Sequence, residues 1–196
     1  IDAVDAPEVR VRLTLDLTDQ PGTVYLGLEP LRPPAPEHYQ RGVRAVTLQF
    51  QRQNPKAKAT SFLTAAREVR QGLPPGISEG IMVSPEGRLL EGLSSNFYAV
   101  RAGELWTAEE GVLPGITRAL VLEEAADEGL MIHLEGLPAS QLGTVDEAFI
   151  SSSGRGVLPV VEVDGQPFGR GAPGPITRRL LDRYNQRIAR QVEPII

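Results

Sequence analysis

The sequence predicts an α/β chain of the α+β kind, in which mixed, mainly antiparallel sheet is flanked by a few amphipathic helices. Three observations predict it. Strand-like segments outnumber helical ones, short Gly/Pro/Asp turns join successive strands, and the helical segments carry apolar stripes. At 196 residues and 41% hydrophobic, the chain can bury a core as one domain, or as a domain with a small appendage.

Val9, Val11, Leu13 and Leu15 alternate with Arg10, Arg12, Thr14 and Asp16, the period of a half-buried strand. "DQPG" reverses the chain, and "TVYLGLEPL" reads as the second arm of a hairpin. "EPLRPPAPEH" then places four prolines in ten residues. Each proline fixes φ and disfavours helix in the residue before it, so this stretch reads as a stiff linker. The expected division is therefore a hairpin in 1–28, a linker in 29–41 and a main domain in 42–196. The chain opens "IDAVDAPEVR", with no initiator methionine or signal-like segment, and is expected to be a piece of something longer.

In the main domain, "VRAVTLQFQ" reads as a strand and "KATSFLTAAREVRQG" as a helix burying Phe62, Leu63, Ala66 and Val69. "EGIMVSPEGRLLEG" and "SNFYAVRAGELWTA" read as hairpins, turned at Pro85–Gly87 and Ala102–Gly103. "VLPGITRALVLEEAADEGL" is a loop entering a helix that Gly129 ends. "MIHLEGL" is a strand, and "DEAFISSSGRGVLPVVEVDG" is two apolar strands around a small polar corner. "PITRRLLDRYNQRIARQ" closes the chain as an amphipathic helix.

A net charge of −5 gives no general attraction to nucleic acid or to an anionic membrane, and no apolar run approaches the roughly 20 residues of a membrane span. The arginines of the last helix are expected on a solvated face. Zero cysteines exclude disulfides and thiolate metal sites and fit a cytoplasmic address. No H-E-x-x-H or G-x-S-x-G supports a metal site or a hydrolase. "GRGAPG" at 169–174 matches G-x-G-x-x-G literally, but too few residues follow it for a dinucleotide fold.

Of 20 Lys+Arg residues, only Lys56 and Lys58 are lysine, the cation whose amine can lose its proton. In "LPGITR", Gly115 lets the chain turn so that free N–H groups of Ile116 and Thr117 meet an anion at a helix start. "SSSG" at 151–154 offers more hydroxyl and amide donors. Glu91 ends an otherwise apolar strand, where a carboxylate is either exposed or buried against a cation, with exposure the expected state.

The ordered set Lys58, "EGLSSNF", "LPGITR", "EAFISSSGRGVLPV" and "GPITRRL" resembles the class IV pyridoxal-phosphate enzymes, over about residues 40–190. These are the branched-chain and D-amino-acid aminotransferases and aminodeoxychorismate lyase. The resemblance implies fold type IV, mostly its large C-terminal domain, with 1–28 a remnant of the small N-terminal one. It implies pyridoxal 5′-phosphate held as a Schiff base by Lys58, with Lys56 solvated. A buried, ionised Glu91 would pair with the pyridine N–H⁺, reversing the expectation of exposure; Ile116, Thr117, Ser152 and Ser153 would hold the phosphate, and Leu113 would pack on the ring. Asn96 matches a recurrent asparagine of structural role.

The activity so implied is a ping-pong transfer of an amino group between an amino acid and a 2-keto acid by a cytoplasmic homodimer. The alternatives are the lyase and a non-catalytic relic of the fold. Two positions depart from the pattern. Phe62 stands where branched-chain enzymes place a tyrosine, and Arg155 follows Gly154 in the turn expected to meet the substrate carboxylate. Arg155 is expected either to fork onto that carboxylate or to point into solvent.

Overall fold

Alternating side chains make the first two strands. In a computed structural model describing residues 5, 6 and 8–191, β1 (Val9–Leu15) pairs antiparallel with β2 (Val24–Pro30), in register from Val9↔Pro30 to Leu15↔Val24. The Asp16 carboxylate accepts the Thr18 and Asp19 amides at 2.8 and 3.1 Å, which shapes the turn. The chain divides into two compact units between Pro34 and Ala35. Residues 1–4 and 7 of the expected N-terminal portion lie outside the described residues.

The proline-rich stretch is not linker throughout. Helix α1 (Pro36–Arg41) occupies its second half, because Pro36 stands in the first turn, where a missing N–H and a fixed φ suit a helix. Gly42 ends α1 at φ 77°, and a Cβ there would clash with Val161 Cγ1.

The second unit continues through β3 (Val43–Leu48), α2 (Thr60–Gln71), β4 (Ile77–Val83), β5 (Leu89–Gly92), β6 (Ser95–Arg101) and β7 (Glu104–Trp106). There follow α3 (Ile116–Asp127), β8 (Ile132–His133), a 3-10 turn at Ala139–Thr144, β9 (Glu147–Ser152), β10 (Gly156–Val163), β11 (Gln166–Pro167) and α4 (Pro175–Gln191). Strands pair in the order β10-β3-β4-β5-β6, and β9 bridges β6 to β10, closing a ring. Closure satisfies the edges that an open sheet would expose. Most pairings are antiparallel, as expected. The parallel ones, β10·β3, β3·β4 and β7·β8, join strands separated by helices or long excursions, which local periodicity does not reveal.

Alternate residues serve two cores. Phe97, Ala99, Ala148, Ile150, Leu158 and Val160 face one side of the sheet. Tyr98, Val100, Phe149 and Val157 face the other, under Val121 and Ala125 of α3 and Leu180 and Tyr184 of α4. Both faces are covered, so β6 and β9 carry consecutive apolar residues, Phe97 to Val100 and Ala148 to Ile150, where a half-exposed strand would alternate. Burying a side chain such as Phe149 or Ile150 fully contributes about 1.5–3 kcal/mol. Phe62 and Ala66 seat α2 on Met82, Leu90 and Leu93.

The basic face of α4 is not simply solvated. Arg183 bonds Glu124 at 2.7 Å and Glu128 at 3.0 Å, and Arg187 pairs with Glu123 at 2.6 Å. The acidic run of α3 draws these arginines across the helix–helix seam. Among the described residues, no helix is long and apolar enough to cross a membrane.

Candidate active site

Glu91 is buried, 2% exposed, against the reading of its strand alone and in line with the burial that the resemblance implies. The cation that resolves its burial is Arg52, whose Nε donates to Glu91 Oε1 at 3.0 Å. The Arg52 guanidinium also lies 3.7 Å over the Phe62 ring, and its buried Nη1 has no hydrogen-bond partner. The other carboxylate oxygen accepts the Leu113 amide at 3.1 Å and Asn96 Nδ2 at 3.4 Å. Burial pushes the Glu91 carboxyl above the usual range, only partly countered by Arg52 and the Leu113 amide.

Sheet register puts these groups together. Glu91 is the cross-strand partner of Asn96, which faces Ser151 on its other side. Asn96 Nδ2 donates to the Leu113 carbonyl at 2.8 Å, so half-buried Leu113 is pinned at both backbone groups. Gly115 follows with an ordinary φ of −68°, and space rather than conformation demands glycine: a Cβ would clash with Asn96 Oδ1.

The chain contains the same Ile-Thr-Arg helix start twice, and the two are used differently. At α4 the Ile176 and Thr177 amides donate to the Glu147 carboxylate at 3.1 and 2.7 Å. At α3 the cap residue Gly115 has no side chain to offer, and no side-chain cap bond forms. Ile116 is exposed and Thr117 buried there. A helix that begins without an internal carboxylate retains its attraction for an external anion.

The polar corner is a three-residue turn joining β9 to β10, with Gly156 at φ 58°. Ser152 is half-buried, Ser153 exposed and Gly154 half-buried at this turn. Arg155 neither points into solvent nor stands free: Nη2 donates to buried Glu79 at 2.8 Å, and Nε to Ser152 Oγ at 3.1 Å. Its amide is spent on the Ser152 carbonyl at 3.1 Å. Its guanidinium is drawn inward because Glu79, fully buried on β4, requires cations, and Arg70 supplies the second at 2.6 Å.

Lys58 precedes α2 in an irregular segment and is exposed, as is Lys56. The structure thus joins Glu91, Asn96 and Leu113 directly and ties Ser152 to Arg155, while no described hydrogen bond links Lys58 to them. Arg52, Glu79 and Glu147 escaped the sequence reading. The signal for Glu79 was present: a carboxylate inside "ISEGIMV" needs a buried cation, although the pattern does not say which.

Comparison with known proteins places this closed mixed sheet, with its sunken carboxylate beside an uncapped helix start, among the class IV aminotransferases. The chain belongs to that family, whose model, described as amino-transferase class IV, matches residues 1–163. It is 30% identical over 175 residues to a branched-chain-amino-acid aminotransferase of Escherichia coli K12, covering 84% of this chain and 53% of that protein. With the Pseudomonas aeruginosa enzyme of the same description it shares 28% identity over 164 residues, 80% of this chain and 53% of that one.

Among solved structures, a branched-chain amino acid aminotransferase with pyridoxamine 5′-phosphate, from the source abbreviated T.th., superposes with a TM-score of 0.80 at 26% identity, covering 90% of this chain and 60% of that one. The enzyme from Thermoproteus uzoniensis with norvaline gives 0.72 at 31% identity, covering 89% and 60%. The chain spans about half the length of the curated relatives it matches.

Proposed function

We propose that this chain is the cofactor-binding part of a pyridoxal-phosphate-dependent aminotransferase, moving an amino group between a branched-chain amino acid and a 2-keto acid. The observation that carries the reading is Glu91, sunk in the sheet and aimed by the Leu113 amide and Arg52, beside a helix start with no internal cap. The residues present fit the cofactor. Burial raises the proton affinity of Glu91, so a cationic ring nitrogen beside it gains a partner and returns the carboxyl to its ionised form. The α4 start, filled by Glu147, gives the measure of what an anion finds at such amides.

When bound, pyridoxal phosphate supplies an aldehyde that condenses with amines and a ring that withdraws electrons. In this reading Lys58 would provide the amine that holds the aldehyde, and its free amine would take the proton from the donor's Cα. Glu91 holds the proton on the ring nitrogen. The Ile116 and Thr117 amides, with Ser152 and Ser153, would hold the phosphate, and Leu113 would cover the ring. Gly154, at the tip of the turn, is the position offered to the substrate carboxylate. Lys58 acts once in each half of a ping-pong exchange, with a keto acid as the second substrate. Residues 1–28 belong to a small N-terminal domain and 42–196 to the large one; the working form is a cytoplasmic homodimer.

The test is a half-reaction: protein loaded with pyridoxal phosphate is mixed with L-leucine or L-valine and followed by absorbance. Conversion to the pyridoxamine form with release of the keto acid is the expected result. Conversion by D-alanine instead moves the substrate to the D-series. Absence of conversion, with pyruvate released from aminodeoxychorismate, assigns the lyase.

A further inference from the structure

The β9–β10 turn is held by an interaction that its own sequence does not announce. Glu79 of β4 is 0% exposed and spends its carboxylate on several donors. Oε1 takes Arg70 Nη2 at 2.6 Å and the Gly80 amide at 3.2 Å, while Oε2 takes Arg155 Nη2 at 2.8 Å and Ser95 Oγ at 3.0 Å. A carboxylate has about four acceptor sites, so Glu79 is saturated. Although burial pushes its carboxyl up, Arg155 and Arg70 hold it below the usual range. The backbone has closed around it: a Cβ on Gly92 would lie 2.8 Å from Glu79 Cγ.

Each arginine comes from a different element. Arg70 lies in the last turn of α2, the helix that begins two residues after Lys58. Arg155 belongs to the turn that carries Ser153 and Gly154, and it reaches back to Ser152 Oγ at 3.1 Å and to the Ser94 carbonyl at 3.0 Å. From the other side, the Tyr39 hydroxyl donates to the Arg155 carbonyl at 2.9 Å.

We propose that Arg155 is a positioning residue: through Glu79 it fixes the Ser152–Gly154 turn against β4 and, by way of Arg70, α2, and it is not a ligand of the substrate carboxylate. Two observations argue against the ligand role. The guanidinium's Nε and Nη2 are already committed, and Nη2 is committed to a carboxylate the fold buries completely. Lysine cannot replace it, because one ammonium on a flexible stem lacks the planar fork that meets Ser152 and Glu79 together. The proposal rests on the reading of Ser152 and Ser153 as phosphate ligands.

The variants Arg155→Ala, Arg155→Lys and Glu79→Gln are compared with wild type for the affinity of pyridoxal phosphate and of phosphate-free pyridoxal. All three are expected to bind pyridoxal phosphate roughly tenfold more weakly, the scale of one charge-assisted hydrogen bond, while pyridoxal affinity holds. Arg155→Ala combined with Glu79→Gln is expected to be no weaker than either single change, since both break one connection. Overturning the proposal would take an Arg155→Lys variant with wild-type affinity. So would an Arg155→Ala variant that raises only the KM for keto acids.

Amide hydrogen exchange gives a readout without cofactor and covers a Glu79→Gln variant that fails to fold. Arg155→Ala is expected to accelerate exchange at 152–156, and unchanged exchange there overturns the clamp. Wild-type protein that binds no pyridoxal phosphate would defeat the proposed function, while exchange would still test the clamp.

Discussion

Replacing Arg52 by methionine tests the electrostatics around Glu91. Methionine keeps an apolar stem against Phe62 but removes the cation that lies 3.0 Å from the carboxylate. Both side chains are almost fully buried, at 5% and 2% exposure, so solvent offers little screening. Removing one member of such a pair costs about 3–5 kcal/mol when the remaining charge has no escape. Glu91 has one, because it can take up a proton. Its folded-state carboxyl already lies above the usual range owing to burial, and losing Arg52 raises it further.

A carboxyl whose folded pKa is raised gives stability that is complete at low pH and lost as pH climbs through that value. The deficit of Arg52→Met should therefore be smaller at pH 5 than at pH 8 and approach about 3 kcal/mol at the higher value. Urea unfolding at the two pH values measures it. For a chain of this length, 3 kcal/mol corresponds to a Tm drop of roughly 6–12 °C. A deficit independent of pH, or one below about 0.5 kcal/mol at pH 8, refutes the reasoning.

Gly115→Ala should destabilise by about 1–3 kcal/mol through contact with Asn96 Oδ1, not through backbone strain, since φ there is ordinary. Thermal melts of this variant and of its combination with Asn96→Ala check it: the second change should recover part of the loss. Glu147→Ala should cost about 2 kcal/mol by uncapping α4, with pyridoxal phosphate affinity unchanged because the other helix start is untouched. Cofactor affinity should rise with pH through the range just above the ordinary carboxylate pKa. Ring binding favours ionised Glu91 and expels its proton, and calorimetry in buffers of differing ionisation heat counts the protons released.

What the sequence disclosed follows from the range of each interaction. The β1–β2 hairpin, the Ala102–Gly103 turn and helix α3 rest on contacts within a few residues, and the pattern of polar and apolar side chains shows them. The Ser152–Gly156 corner was visible as a break between two apolar runs. The partner of Glu91 was not, because Arg52 comes from a segment 39 residues earlier that carries no periodic signal of its own. The inward course of Arg155 was hidden for the same reason. Its destination, Glu79, lies 76 residues away on a strand brought near by the ring closure. The helix α1 was hidden by a rule applied too widely, since proline stops a helix behind it but can begin one.

Lys58 stands apart. It is exposed and precedes α2 by two residues, so its chemistry depends on a bound aldehyde coming within reach. Borohydride reduction of the protein with pyridoxal phosphate, followed by peptide mass mapping, tests this directly. The expected result is a single phosphopyridoxyl adduct on Lys58, lost in Lys58→Ala and retained in Lys56→Ala. An adduct confined to Lys56, or equal labelling of both lysines, contradicts the assignment.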